Sequence, residues 1–319
     1  MRLLVTGGAG YIGSVVTARL LEEGHDVTVL DDLSTGHRDA VPPAATFVEG
    51  RVHDAEDVIS SGNFEAALHF AAFSLVGESV TNPGKYEENN IVGSSRLCDA
   101  LQRAGVAKLI FSSSAAVYGE PGVGLINEEA TTSPSNPYGA TKLAIDRDLS
   151  RRANGSDFAA VSLRYFNVAG AFGPYGERHR QETHLIPVAL EVVAGLRKQL
   201  TIYGEDFPTP DGTCVRDYIH VVDLADAHIL ALNALQAGRH EIINLGNGEG
   251  FSVHQVAGAV RRVTGRPLPT VVGGRRAGDP AMLVASNEKA KAVLGWTPAR
   301  PDLETMIDDA WGFFQSRTA

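Results

Sequence analysis

The stretch TGGAGYIG, at residues 6–13, constrains the fold of this chain more than any other feature. It places Gly7, Gly10 and Gly13 three residues apart, between the apolar run RLLVT and a segment whose apolar residues recur at helical spacing. Glycines here permit a tight strand-to-helix turn and let the backbone approach a pyrophosphate, which the positive N-terminus of the helix attracts. The motif therefore predicts a nucleotide-binding turn within a βαβ unit.

An acidic pair ends the next predicted strand. Asp31 follows Gly13 by eighteen residues and is itself followed by Asp32. A carboxylate at this place binds the ribose hydroxyls of an adenosine. Because two adjacent carboxylates repel a 2′-phosphate, the pair favours NAD over NADP as the cofactor.

The first half of the chain alternates short apolar runs with helical periods, which is typical of a parallel sheet covered by helices on both faces. We predict strands at residues 2–6, 26–31, 46–50, 65–72, 108–114 and 158–166, then a strand at 240–247 and a helix at 253–265. The predicted fold class is α/β: a Rossmann-type doubly wound parallel sheet at 1–168 and a smaller C-terminal α/β substrate domain at 169–319. The segment at about 213–246 is expected to pack back against the first domain.

Composition limits the partners and the location. The net charge is −10 and no basic patch is present, which argues against a nucleic-acid partner. Cys98 and Cys214 are far apart and outside any metal-ligand spacing, so we predict free thiols in a reducing compartment and no metal site. The N-terminus lacks the apolar region of a signal peptide, and no stretch approaches a membrane span. We expect a cytoplasmic protein.

The stretch SNPYGATK places a phenol and an ammonium on one face of a predicted helix. Tyr138 and Lys142 are four residues apart, so their side chains project side by side. A tyrosine is a poor base at its usual pKa, and we expect the ammonium and an oxidised nicotinamide to lower that pKa. Ser112 and Ser114 end the preceding strand, at the edge where such sheets bind ligands. We predict that Tyr138 takes a proton from a sugar hydroxyl, with Ser114 as its partner.

Six motifs occur in the order of a known family: GGAGYIGS, HFAAFSLVGES, NPYGATK, LRYFNVAGA, DGTCVRDYIHVVDLADAH and RRAGDPA. With them the chain resembles the extended short-chain dehydrogenase/reductases and, within these, the UDP-glucose 4-epimerases, over essentially its whole length. The resemblance implies that Tyr138, Ser114 and Lys142 remove the proton of the sugar 4-hydroxyl while hydride passes to NAD, and that hydride returns to the opposite face of a 4-keto sugar. It also implies a homodimer through helices near 82–104 and 138–153.

The resemblance assigns further residues by position. Arg216 and Arg276 match positions that hold the substrate diphosphate, for which a guanidinium is suited. Asn167 matches a diphosphate and sugar contact, Tyr203 an aromatic that stacks on uracil, and Asp279 a ribose contact. The other substrate positions are His184, Leu185 and Leu283. The other cofactor positions are Tyr11, Ile12, Ser34, Thr35, Gly36, Phe70, Ala71, Ala72, Ser74, Asn89, Ser112 and Tyr165.

Four residues depart from the family pattern. Arg51 stands where an aspartate accepts a hydrogen bond from adenine, and because a guanidinium has no acceptor, we expect weaker NAD retention. Ser74 replaces a lysine near the nicotinamide ribose and supplies no charge. His184 replaces an asparagine beside the diphosphate. Leu283 stands where some members carry a tyrosine at the sugar pocket, so an N-acetylated sugar is expected to fit.

Three other functions stay open from the sequence. Sugar-nucleotide 4,6-dehydratases share the fold and the Tyr/Lys pair, but their motif has Asp-Glu where this chain has Ala115 and Ala116. A UDP-hexuronate 4-epimerase is poorly separated by sequence. A non-catalytic NAD-binding regulator would have no need for the reactive residues together with two diphosphate-type arginines.

Overall fold

The computed structural model of the chain describes residues 1–122, 124–276 and 278–318. The elements of the first half are β1 (Arg2–Thr6), α1 (Tyr11–Glu22), β2 (Asp26–Asp31), β3 (Thr46–Glu49), α2 (Glu56–Gly62), β4 (Ala66–His69), α3 (Val76–Thr81), α4 (Pro83–Tyr86), a π-helical turn (Glu87–Val92), α5 (Gly93–Arg103), β5 (Lys108–Ser114), β6 (Leu125–Ile126), α6 (Pro137–Ala153) and β7 (Ala159–Tyr165). The second half contains β8 (Asn167–Ala169), β9 (Ala171–Phe172), β10 (Tyr175–Gly176), α7 (Leu185–Val193), β11 (Leu200–Tyr203), β12 (Val215–His220), α8 (Val221–Ala234), β13 (His240–Leu245), β14 (Gly250–Ser252), α9 (Val253–Thr264), β15 (Thr270–Gly273), β16 (Met282–Ala285), α10 (Glu288–Leu294) and α11 (Leu303–Thr318).

Seven parallel strands form the larger sheet, in the order β3-β2-β1-β4-β5-β7-β13. The strand order reverses between β1 and β4, as in a doubly wound sheet. Alternate residues of β1 enter opposite layers: Leu3 and Val5 pack in one core cluster with α1 and α8, whereas Leu4 packs in another with α5 and α6. Helices therefore cover both faces, and the predicted fold class is confirmed.

The predicted elements agree with the observed ones to within two residues at each end, except for the strand expected at 65–72. That strand ends at His69, because the next two backbone N–H groups, of Phe70 and Ala71, both donate to the Thr6 carbonyl, at 2.9 and 3.1 Å. The chain consequently turns beside β1 instead of extending the sheet. This turn brings Phe70 and Ala71 against the glycine motif.

The segment at about 213–246 divides between two sheets. Its β13 pairs in parallel with β7 at the edge of the larger sheet, and its α8 shares a core cluster with α1. Its β12 instead joins the smaller sheet, of order β14-β12-β16-β6, and also pairs with β8. The smaller sheet packs with α7, α9 and α11 in a separate core cluster. The domain boundary at residue 168 stays a prediction.

No helix in the described part of the chain is both long enough and apolar enough to cross a membrane.

A buried ion pair fixes α6 on the larger sheet. The Asp146 carboxylate of α6 lies 2.8 Å from an Arg164 guanidinium nitrogen of β7, and both side chains are buried. The Ser113 hydroxyl of β5 donates to the same carboxylate at 3.1 Å, and Arg164 donates to the Tyr118 hydroxyl at 3.0 Å. One carboxylate thereby ties the helix to two strands.

Replacing Asp146 by asparagine leaves the buried Arg164 charge without its counter-ion. We predict that Asp146→Asn lowers the free energy of unfolding by about 3–5 kcal/mol, measured by denaturant titration. The control is Glu304→Gln, which breaks the exposed Arg262–Glu304 pair, 2.6 Å apart, and is expected to cost less than about 1 kcal/mol. Equal losses in the two variants would contradict the structural role of the buried pair.

Candidate active site

A large cleft runs along the carboxyl ends of the strands of the larger sheet and continues to the smaller one. Its cavity volume is about 1290 Å³. Pockets for one small ligand are typically no larger than about 1,000 Å³, so the cleft has room for a dinucleotide and a second ligand together. The glycine motif lies at one end, and Arg216 and Arg276 lie at the other.

The glycine motif closes around the turn after β4. Gly7 adopts a left-handed backbone, with φ of +77°, and a Cβ there would lie 2.5 Å from the Ala71 nitrogen. A Cβ on Gly13 would lie 2.2 Å from the Gly7 carbonyl oxygen. No larger residue fits at either position without moving the backbone. The two glycines thus leave open the close approach to a helix N-terminus that a pyrophosphate requires.

Asp31 also holds the turn together. Its carboxylate accepts hydrogen bonds from the backbone N–H groups of Ala9, at 3.0 Å, and Leu33, at 2.8 Å. Burial raises the pKa of Asp31, and these two hydrogen bonds oppose the rise. Asp32 accepts a bond from the Ser34 N–H at 2.9 Å. Both carboxylates line the cleft, as a ribose-binding pair requires.

Most residues predicted to bind cofactor or substrate line this one cleft. Gly36 is the exception: it lies against the glycine turn, where an added Cβ would be 2.9 Å from the Ala9 Cβ, and its part in cofactor binding stays a prediction. Ser74 is exposed at the cleft rim. Arg51 is exposed outside the lining, although its neighbours Gly50 and Val52 belong to it. Its effect on NAD retention stays a prediction. The lining residues among those predicted are Gly7, Gly10, Tyr11, Ile12, Gly13, Asp31, Asp32, Ser34, Thr35, Phe70, Ala71, Ala72, Ser74, Asn89, Ser112, Ser114, Tyr138, Lys142, Tyr165, Asn167, His184, Leu185, Tyr203, Arg216, Arg276, Asp279 and Leu283.

The start of α6 presents Tyr138 and Lys142 to the cleft. Pro137 occupies the first helical turn, and the Asn136 side chain caps the helix by accepting the Gly139 N–H at 2.9 Å. The Lys142 ammonium nitrogen lies 5.9 Å from the centre of the Tyr138 ring and donates to the Ser112 carbonyl at 2.7 Å. Strand β5 therefore fixes the lysine beside the phenol.

Burial governs both pKa values. It raises the pKa of Tyr138, and the hydrogen bond with Ser114 opposes this only in part. It lowers the pKa of Lys142 to about 7, although the Asp146 carboxylate acts in the opposite direction. With the protein's own groups alone, desolvation therefore keeps the pKa of Tyr138 above its usual value, and the expected lowering by Lys142 together with an oxidised nicotinamide stays a prediction.

Two serines on β5 have different partners. The Ser112 hydroxyl contacts the Tyr165 hydroxyl of β7. The Ser114 hydroxyl caps a short 3₁₀ turn by accepting the Ala116 N–H at 3.1 Å, and it interacts with the Tyr138 phenol. Of these two serines, Ser114 is therefore the one placed to exchange a proton with Tyr138.

The predicted substrate residues contact one another at the far end of the cleft. The Arg216 guanidinium donates to the Asp279 carboxylate at 2.9 Å and to the Pro280 carbonyl at 2.8 Å. The Arg276 guanidinium lies over the Tyr203 ring, 3.9 Å from its centre. Both arginines thus lie in the same part of the cleft of an acidic protein, where they could bind a diphosphate.

Three residues beside His184 were not predicted from the sequence: Glu177, His179 and Glu182. The His184 Nδ1 atom lies 2.8 Å from carboxylate oxygens of both Glu177 and Glu182. Burial alone would lower the pKa of His184, but the two carboxylates raise it to about 10. His179 contacts the same carboxylates, and its pKa is raised to about 9. The signal in the sequence is the pattern E-x-H, which occurs twice in ERHRQETH.

The depressed pKa of Lys142 predicts a pH-dependent stability. Between pH 7 and the unfolded pKa near 10.5, the unfolded state binds a proton that the folded state does not, so stability rises with pH. In NAD-free protein, the unfolding free energy of wild type relative to Lys142→Met should increase by about 2 kcal/mol between about pH 7 and pH 9. A difference that stays constant over this range would show that Lys142 keeps its ordinary pKa in the fold.

The chain is similar to known proteins over nearly its whole length. The NAD dependent epimerase/dehydratase family matches residues 3–246. The UDP-glucose 4-epimerase of Corynebacterium glutamicum is 57% identical over 314 residues, which cover 98% of this chain and 95% of that protein.

Three solved structures share the whole fold. A crystal structure of a UDP-glucose 4-epimerase has a TM-score of 0.96 at 47% identity and covers 100% of this chain and 98% of its own. The Bifidobacterium longum UDP-glucose 4-epimerase in complex with NAD+ and UDP has a TM-score of 0.93 at 35% identity, with coverage of 100% and 99%. The UDP-Glc/GlcNAc 4-epimerase of Campylobacter jejuni has a TM-score of 0.86 at 40% identity, with coverage of 99% for each chain. These matches confirm the resemblance indicated by the motifs, and the chain belongs to the NAD dependent epimerase/dehydratase family.

Proposed function

We propose that this protein is an NAD-dependent 4-epimerase that interconverts UDP-galactose and UDP-glucose through a 4-keto intermediate. The observation that carries the proposal is the convergence of Tyr138, Lys142 and Ser114 in the cleft that also holds the glycine turn and two arginines. The relatives named above carry the same activity, and one of them is a complex with NAD+ and UDP.

The residues present fit NAD. Gly7 and Gly13 leave room that a Cβ would fill, and Asp31 and Asp32 line the cleft where the adenosine ribose would lie. Bound NAD would supply a hydride acceptor and donor for the sugar C4, and its oxidised ring would bring a positive charge. That charge favours the Tyr138 phenolate, which the protein's own groups disfavour.

The chain's own residues then account for the proton and the pivot. Tyr138 takes the 4-hydroxyl proton as the carbonyl forms and returns it when the carbonyl is reduced, so the reaction has no net oxidant. Ser114 would pass the proton, and Lys142 would hold the ribose of the nicotinamide. Arg216 and Arg276 anchor the diphosphate while the hexose turns, which exposes its opposite face for the second half of the reaction.

The lining disfavours the dehydratase alternative. Elimination of water needs an acid and a base beside the hydroxyl-bearing residue, and Ala115 and Ala116 line the cleft at that position. Neither side chain transfers a proton. Whether the protein also accepts a UDP-hexuronate is tested by including UDP-glucuronate among the substrates in the assays below.

Removing the Tyr138 hydroxyl tests the proposal. We predict that Tyr138→Phe lowers kcat for UDP-galactose by about 10²–10⁴-fold, because the general base is lost, while bound NAD is retained. Tyr175→Phe is the control, since Tyr175 is a half-buried phenol outside the cleft lining. A Tyr138→Phe enzyme that keeps more than a tenth of wild-type kcat would rule out this role. No epimerisation by wild type on any UDP-hexose would instead favour a regulator.

Leu283 supports N-acetylated UDP-hexosamines as a second substrate class. Its side chain lines the cleft and packs against the apolar cluster of Ala115, Val117, Tyr118, Ile126 and Leu143, where a tyrosine would occupy more of the cavity. We predict that Leu283→Tyr lowers kcat/KM for UDP-N-acetylgalactosamine at least about tenfold more than for UDP-galactose. Leu283→Met, of similar volume, should leave the ratio of the two unchanged. An unchanged ratio in Leu283→Tyr would show that this residue does not select the sugar.

Two further expectations belong to this proposal. Cys98 and Cys214 are free thiols in the structure, which suits a cytoplasmic enzyme. The homodimer through helices near 82–104 and 138–153 stays a prediction, which the molar mass in solution decides.

A further inference from the structure

A short segment of the cleft wall carries two carboxylates and two imidazoles in a repeated order. Glu177 and His179 form the first E-x-H unit, and Glu182 and His184 form the second. We call these four residues the His/Glu quartet. They lie between β10 and α7, and all four line the cleft. The proposed epimerisation uses none of them as a proton donor or acceptor.

The four side chains converge on one point. One ligand atom from each residue can be chosen so that all four lie within 4.8 Å of one another. The two imidazole Nδ1 atoms lie 2.8, 2.8, 3.1 and 3.7 Å from the carboxylate oxygens. In a tetrahedral zinc site with bonds of about 2.0–2.2 Å, neighbouring ligand atoms are about 3.4 Å apart. The observed separations bracket that value, so small side-chain shifts suffice to place a metal between them.

The surroundings prepare the carboxylates for a cation. The Glu177 and Glu182 side chains are only 9% and 5% exposed, and without a metal the protonated His179 and His184 side chains beside them balance their charges. Backbone N–H groups of Thr183 and His184 each donate to a Glu182 oxygen at 2.7 Å, and these bonds hold that carboxylate in place. A divalent metal that displaces the two imidazolium protons would meet two carboxylates and two neutral imidazoles, and the two carboxylates offset its charge of +2.

We propose that the His/Glu quartet is a binding site for a divalent transition metal of the zinc class. Mixed nitrogen and oxygen ligands select such a metal over Mg²⁺ and Ca²⁺, which take oxygen ligands. Four protein ligands complete a tetrahedral set, so the metal is structural and not catalytic. It fastens the segment at 177–184 to the start of α7, where His184 and Leu185 line the cleft.

Metal titration of the full-length protein tests this. Protein stripped with a chelator and dialysed is titrated with Zn²⁺, and separately with Co²⁺ as a spectroscopic probe. We expect one metal ion per chain, a higher thermal unfolding temperature with Zn²⁺, and the intense visible absorption of tetrahedral Co²⁺. Absence of binding at one equivalent, or the weak spectrum of octahedral Co²⁺, would overturn the proposal without reference to any variant.

Matched variants locate the metal. Glu182→Gln keeps the side-chain size and an oxygen for the backbone N–H groups, and His179→Gln removes one imidazole. Each should weaken Zn²⁺ binding at least about tenfold. His254→Gln is the control, because His254 lies 3.1 Å from Glu205 in an exposed pair outside the cleft.

Unfolding temperatures measured with chelator present verify that each variant is folded. If the quartet variants, folded by this criterion, bind Zn²⁺ as tightly as wild type, the metal binds elsewhere and the proposal fails. If they lose binding while His254→Gln keeps it, the site is assigned.

Discussion

The site depends on how helix α6 is held against the larger sheet. Tyr138, Lys142 and Asp146 are spaced four residues apart, so they share the face of the helix that packs inward. At the deep end, the Asp146 carboxylate pairs with Arg164 of β7. Nearer the cleft, the Lys142 ammonium donates to the Ser112 carbonyl of β5. These two attachments determine where the phenol lies.

This placement has an electrostatic consequence. The burial that fixes Tyr138 and Lys142 also disfavours the charged form of each, so the protein alone keeps the phenol neutral. Under the proposed function, the positive ring of the oxidised cofactor supplies the missing charge. Binding of NAD and activation of the base are then one event, and the base is idle when the cofactor is absent.

Local pattern was enough for much of the fold and the cleft. The strands β1, β2 and β5 have the predicted bounds because each is rich in apolar residues and is bounded by glycine, acidic or serine residues. The glycine motif and Asp31 were predictable because both lie close in sequence to the turn that they form. The positions at the far end of the cleft, such as Arg216, followed from family motifs and not from periodicity.

Properties that depend on the burial of a side chain, or on contacts formed only when the chain folds, were not predictable from the sequence. The pKa directions of Tyr138 and Lys142 depend on burial, which a four-residue spacing does not reveal. The strand at 65–72 was predicted too long because the backbone N–H groups of Phe70 and Ala71 donate to the carbonyl of Thr6, which is more than sixty residues earlier in the sequence. Gly36 lies against Ala9 of the glycine turn and outside the cleft lining, and its part in cofactor binding stays a prediction. The His/Glu quartet has only a repeated E-x-H spacing in the sequence, and its convergence depends on how the segment between β10 and α7 folds.

The most direct test is a crystal structure of the protein with NAD and a UDP-hexose bound. We predict that the Tyr138 hydroxyl lies within hydrogen-bonding distance of the sugar 4-hydroxyl, with the C4 carbon facing the nicotinamide and the diphosphate on Arg216 and Arg276. A complex in which the Tyr138 hydroxyl points away from the hexose would contradict the proposed function.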